Sequence, residues 1–251
     1  MKSKIKLFND HFQNYKVYGI PKAQLIIADI PYNLGNNAYA SNPMWYIKGD
    51  NRNGESEKAN KEFFDTDKNF RIAEFMHFCS KMLIKEPKET GKAPAMIVFC
   101  AFEQIATVIE YGKKYDFKKS YPLVFIKNYS SQVLKANMRI VGATEYALVL
   151  YKDKLPKFNN NGKMIFNWFE WKRDKNCPKI HPTQKSVIIL KQLIEIFTDK
   201  NENVIDPVAG SGSTLRACAE IGRNGYGFEI KKDFYKQAQE QMLKNIPIRL
   251  L

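Results

Sequence analysis

The stretch Val204-Ile-Asp-Pro-Val-Ala-Gly-Ser-Gly-Ser-Thr214 is an apolar run that ends in an acid, turns through glycines and opens a helix. Gly210 and Gly212 let the backbone approach a ligand, and the helix start offers unpaired N–H groups to it. Glu229, about 17 residues beyond Gly212, ends the next apolar run, where an acid commonly binds ribose hydroxyls. A dinucleotide fingerprint would need glycine where Leu215 stands, and the lysine of a phosphate-binding loop is missing. The motif therefore suits a nucleoside-containing cofactor, with a tight structural turn as the alternative. A second group, Asp29-Ile-Pro-Tyr32, follows the apolar run Leu25–Ala28. There a carboxylate could accept hydrogen bonds from an amine while Tyr32 stacks on a planar ring. A plain strand-end turn is the competing reading. The third group, His181-Pro-Thr-Gln-Lys185, could line a cofactor pocket or cap the helix it precedes.

These residues need strands that end where they begin. Residues 4–8, 25–28, 95–102, 121–127, 145–152, 203–206 and 226–230 read as strands, several of them continuous apolar runs of the buried type. Helical spacing marks residues 69–85 (Ile72, Phe75, Met76, Cys79, Leu83) and the stretch around Ile105, Val108 and Ile109. It recurs at Val187, Leu190, Leu193, Ile194 and Phe197, at 213–221 with Gly222 as C-cap, and at Phe234, Ala238 and Met242 after Asp233. Alternation of the two patterns predicts an α/β architecture with a mostly parallel sheet flanked by helices. Residues 36–67, crowded with Asn, Gly, Ser and charge, read as a long mobile loop. Residues 152–185 hold nine Lys/Arg against three acids, together with Phe158, Phe166, Trp168, Phe169 and Trp171. Basic residues interleaved with aromatics suit nucleic acid, or else a solvated insertion.

The 251 residues carry 40 Lys+Arg against 26 Asp+Glu, a net charge of +14 that points to a polyanionic partner. The N-terminal residues lack an apolar stretch of signal-peptide length, and the longest apolar run, 95–102, is too short to span a bilayer. Cys79, Cys100, Cys177 and Cys218 are far apart and read as reduced thiols. Cys177 and His181 alone do not make a zinc site. A basic intracellular protein without metal or membrane is expected.

Taken in order, the motifs resemble the β-class DNA amino-methyltransferases, the S-adenosylmethionine-dependent enzymes of bacterial and phage restriction–modification systems. In that family an (Asp/Asn/Ser)-Pro-Pro-(Tyr/Phe) motif precedes a target-recognition segment, an HPTQKP-like motif and a DPFAGSGT-like loop. Phe125-Ile-Lys-Asn128 and Glu145-Tyr-Ala-Leu148 are similar to the strand pair before the recognition segment. The resemblance implies one Rossmann-like methyltransferase domain over residues 1–251 with circularly permuted motifs, and target recognition by residues 152–179. It implies catalysis at Asp29, Ile30, Pro31 and Tyr32. It implies S-adenosylmethionine contacts from Asp10, His181, Thr183, Gln184, Lys185, Asp206, Pro207, Ala209, Gly210, Ser211, Gly212, Ser213, Thr214 and Glu229. Lys152, Lys154, Lys163, Lys172, Arg173 and Lys175 are the candidate DNA contacts.

Ile30, Ser186 and Val208 stand where the family has Pro, Pro and Phe. The implied reaction moves a sulfonium methyl group to the exocyclic amine of a base flipped out of DNA. Hydrogen bonds to the Asp29 carboxylate and the Ile30 carbonyl would localise the amine lone pair and stabilise the charge that develops on it. Asp at the first position favours adenine N6, with cytosine N4, RNA methylation or a catalytically silent binding module as alternatives. The resemblance further implies a homodimer and a cytoplasmic, nucleoid-associated place in a prokaryotic or phage-infected cell.

Overall fold

The computed structural model describes residues 3–32, 70–127, 132–135, 140–172, 174, 177–180, 184–244 and 246. The expected loop 36–67 therefore lies outside the described residues, as do His181, Thr183, Arg173 and Lys175. Its strands are β1 (Ile5–Phe8), β2 (Leu25–Asp29), β3 (Ala95–Cys100), β4 (Lys119–Lys127), β5 (Gln132–Lys135), β6 (Ile140–Gly142), β7 (Thr144–Tyr151), β8 (Trp168–Trp171), β9 (Asn203–Asp206) and β10 (Asn224–Phe228). Its α-helices are α1 (Ile72–Met82), α2 (Ile105–Lys114), α3 (Val187–Phe197), α4 (Ser213–Glu220) and α5 (Lys232–Gln237), the last continued by a wider turn, Ala238–Met242.

Eight strands form one sheet in the order β1-β10-β9-β2-β3-β7-β4-β8, and β5 and β6 pair separately. β1, β10, β9, β2 and β3 are parallel neighbours. β7 runs antiparallel to both β3 and β4, and β8 lies parallel to β4 at the edge. One border of the sheet thus collects the carboxyl ends of seven strands and the amino end of β7.

β2 and β3 are apolar without alternation because helices cover both faces. Ile26, Ala28, Met96, Val98 and Cys100 pack under α1 and α2 with Phe75, Phe78 and Val108. On the other face, Leu25, Ile27, Ile97, Phe99 and Phe125 pack with Leu190, Leu193 and Ile194 of α3 and with Trp171. α3 begins sharply. Ser186 caps it by accepting from the Ile189 N–H, and Asp174 accepts from the Val187 N–H at 2.6 Å and the Ser186 hydroxyl at 2.9 Å. A carboxylate at this place also meets the positive end of the helix.

The sheet distributes the segment 152–179 over both of its borders. Because β7 is antiparallel to β3, residues 152–157 emerge at the border opposite Asp29. There the Lys157 N–H bonds to the Ala93 carbonyl at 2.9 Å, the Lys154 ammonium to the carbonyls of Pro87 and Lys88, and Lys152 pairs with Asp116 at 3.4 Å. Lys152 and Lys154 thus lie at the border opposite Asp29, held by these contacts. The chain then returns as β8, a strand hidden from sequence reading by its four residues, Trp-Phe-Glu-Trp.

Candidate active site

In an open α/β sheet ligands bind beyond the carboxyl ends of the strands, where the chain leaves neighbouring strands in opposite directions. Here that point lies between β9 and β2. Asp206 ends β9, Asp29 ends β2, Glu229 follows β10 and Asp10 follows β1, so four acids separated widely in sequence share one border.

The glycine loop occupies the β9 side. Gly210 and Gly212 adopt φ of 50° and 76°, conformations that side chains with a Cβ resist. A Cβ on Gly210 would meet nothing within 4 Å, which leaves the loop open to a ligand, whereas one on Gly212 would lie 3.4 Å from the Ala238 Cβ. The Ala209 N–H bonds to the Phe228 carbonyl at 2.8 Å and the Ser211 and Ser213 hydroxyls are 2.9 Å apart, which ties Pro207, Thr214 and the rest of the loop to β10 and α4. Burial pushes the Asp206 carboxyl up to about 7, against hydrogen bonds from Thr214 and the Val208 N–H. Burial likewise raises Glu229, whose Oε1 accepts from the Lys231 N–H at 2.7 Å. Asp10 moves the other way: hydrogen bonds from Tyr18, at 2.7 Å, and Asn14 hold its carboxyl below the usual range.

On the β2 side, Ile30 stands where a proline was expected to stiffen the backbone. Its N–H donates to the Phe99 carbonyl at 3.2 Å, a bond proline cannot make, and its side chain is buried in the core. The tetrapeptide regains by hydrogen bonding the rigidity that the missing ring would give. Gln104 fixes it from the other side, donating to the Pro31 carbonyl at 2.9 Å while accepting from the Ala101 N–H at 3.0 Å.

Two of the residues expected to line the cofactor pocket do something else. Gln184 clamps its own loop, donating to the Pro178 carbonyl and accepting from the Ile180 N–H. The Lys185 side chain, 8% exposed, places its ammonium 2.7 Å from Asp29 Oδ2, 3.2 Å from Glu145 Oε2 and 3.3 Å from the Tyr32 hydroxyl. The rings of Tyr32, Phe99 and Trp171 lie within 5.2 to 6.0 Å of it. Glu145 is also ion-paired with Lys127, which sits over the Trp171 ring. Burial disfavours the charge on Lys185, but Asp29 and Glu145 outweigh it and hold the ammonium well above its ordinary range. Burial likewise opposes the charge on Glu145, and Lys185 and Lys127 outweigh it to keep that carboxyl low. Asp29 is raised by burial in spite of Lys185.

Asp29 Oδ1 is buried and, among the described residues, has no hydrogen-bond partner. A buried acceptor left unpaired costs about 1–3 kcal/mol, so this atom is poised for a donor from a ligand. Lys127, Glu145, Gln104 and Trp171 escaped prediction as site residues. The strand-pair resemblance at 125–128 and 145–148 is the sequence signal for Lys127 and Glu145, and it carries no role; Trp171 stands out only among the aromatics of 152–185, and Gln104 has no such signal. Of the remaining lysines, Lys163 bonds to Asn160 through its N–H and carbonyl, ahead of the exposed Phe166 and Trp168, whose rings stack 6.1 Å apart, and Lys172 pairs with Glu170 at 3.2 Å just past Trp171. No helix of the described residues is long and apolar enough to cross a membrane, and none of their His, Cys, Asp and Glu side chains group to hold a metal.

The sequence profile of a DNA methylase family matches residues 23–240. YubD of Escherichia coli (strain K12) is 32% identical over 151 residues, 60% of this chain and 63% of that protein, so the match spans less than two thirds of YubD's length. The DNA adenine methyltransferase YhdJ of the same organism is 23% identical over 262 residues, covering 96% of this chain and 83% of that protein. Among solved structures, the M1.HpyAVI–SAM complex superposes with a TM-score of 0.68 at 21% identity, covering 94% of this chain and 98% of that one. The cytosine-N4-specific PvuII DNA methyltransferase gives 0.67 at 13% identity, covering 95% and 86%. At these identities the structural likeness is one of fold, and it is the Rossmann-like methyltransferase fold.

Proposed function

Because this chain belongs to the DNA methylase family, we propose that it transfers the methyl group of S-adenosylmethionine to the N6 amine of an adenine flipped out of DNA. The observation that carries the reading is Asp29 Oδ1, a buried acceptor without a partner among the described residues, at the switch point of the sheet and beside Tyr32. It would accept from one N–H of the amine while the Ile30 carbonyl accepts from the other. The nitrogen lone pair then turns towards the glycine loop, and the positive charge growing on nitrogen is met by the carboxylate. Tyr32 would stack on the base.

The cofactor supplies an electrophilic methyl on a cationic sulfur. The open, left-handed Gly210 turn and the acids Asp206 and Glu229 fit such a group, and Asp10 lies at the same border for the adenine end. Pro207, Ala209, Ser211, Ser213 and Thr214 shape that turn. Holding amine, methyl and sulfur in line supplies much of the remaining acceleration by position alone. DNA would approach the border that carries Lys172, just past the carboxyl end of β8.

Adenine rests on the aspartate at position 29 and on the name of YhdJ, and the cytosine-N4-specific PvuII enzyme has the same fold. The test is incubation with labelled S-adenosylmethionine and unmethylated duplex DNA, then nucleoside mass spectrometry, with Asp29→Ala in parallel. N6-methyladenine that vanishes in the variant is expected. N4-methylcytosine would correct the base, and label on RNA alone, or none, would overturn the reading.

A further inference from the structure

We propose that Lys185 is a positioning residue for Asp29: it fixes the carboxylate through Oδ2, which leaves Oδ1 to the arriving amine, and Glu145, braced by Lys127, holds it there. The inference rests on the methyl-transfer reading and adds to it a part for three residues outside the catalytic tetrapeptide. Lys127, Glu145, Lys185 and Asp29 form a line of alternating charge drawn from the end of β4, the start of β7, the turn before α3 and the end of β2. Three oxygens surround the ammonium: it donates hydrogen bonds to Asp29 Oδ2 and the Tyr32 hydroxyl and is ion-paired at 3.2 Å with Glu145 Oε2, which among the described residues accepts no hydrogen bond. Engaged in this way, the ammonium fixes the rotation of the carboxylate and is in no position to compete for Oδ1.

The same contacts govern the charge of Asp29. The groups that face it are Lys185, Glu145, Tyr32, Asp206 across the switch point and the Cys100 thiol. Among the described residues Lys185 is the cation of this set, set against burial and two acids. Without it, burial would raise Asp29 further with no cation of this set to oppose it, and a protonated carboxyl answers the charge on the amine nitrogen poorly.

Carboxyl-labelled aspartate in the full chain, with Asp29→Asn to assign the resonance, gives the Asp29 titration directly by carbon NMR. Lys185→Met is expected to raise its midpoint by about one pH unit or more, and Glu145→Gln, which removes a like charge, to lower it. Lys185→Arg keeps the charge and should leave the midpoint close to that of the parent. The acidic limb of kcat/KM for DNA methylation should move the same way. A purely structural lysine would lower activity at every pH and leave the midpoint in place, and that outcome overturns the proposal. If Lys185→Met does not fold, Glu145→Gln decides, with an unmoved midpoint counting against it. A wild-type chain that methylates no DNA would sink the functional reading, while the titration would still answer for Lys185.

Discussion

Replacing Asp206 with Asn removes a carboxyl that burial lifts from an ordinary value of 3.8 to about 7. Between those values the unfolded chain has lost this proton and the folded chain has kept it, so stability falls as pH rises. Each pH unit in the window is worth about 1.4 kcal/mol, and the whole titration takes away about 4 kcal/mol by pH 8. Asparagine keeps a carbonyl oxygen for the Val208 N–H, now 3.1 Å from Oδ1, and cannot ionise. Urea unfolding at pH 5, 6, 7 and 8 should therefore show the variant gaining on the parent by about 2 kcal/mol between pH 5 and 7, then levelling off. Asp29 and Glu229 are raised as well, and Asp10 is lowered, so each protein's own curve is a sum. The difference between the two curves carries Asp206 together with its coupling to Asp29 and Glu229. A difference constant to within about 0.5 kcal/mol would refute the idea that burial keeps this acid protonated.

Gly212→Ala should destabilise the chain by about 1–2 kcal/mol, because φ is 76° there, a left-handed conformation that a side chain with a Cβ resists. The same variant should bind S-adenosylmethionine more weakly in calorimetry, since the turn that would receive it must shift. DNA affinity should fall steeply with added salt, with a slope of the logarithmic plot near −0.9 per phosphate neutralised. A flat salt profile in a filter-binding assay would contradict a phosphate-led interface. The effects of Asp29→Ala and Lys185→Met complete the set.

Local order left clear traces in the sequence. A strand buried on both faces is apolar, so β2 and β3 stood out, and the glycines held at positive φ, Gly210 and Gly212, follow within six residues of the acid that ends β9. The motif order alone led to the family. Register and direction left no such traces. Glu145 and Lys127 face each other because β7 pairs with β4, Glu145 beside Phe125, and a one-residue slip would turn them to opposite faces. Lys185 looked like part of a cofactor motif, yet it meets an aspartate 156 positions away because α3 packs its start against the end of β2. Lys152 and Lys154 looked like DNA contacts by charge, and only the antiparallel run of β7 carries them to the far border. Composition and spacing determine which side chains a segment offers. Which border of the sheet receives them is decided by strand direction, a long-range property that no local pattern encodes.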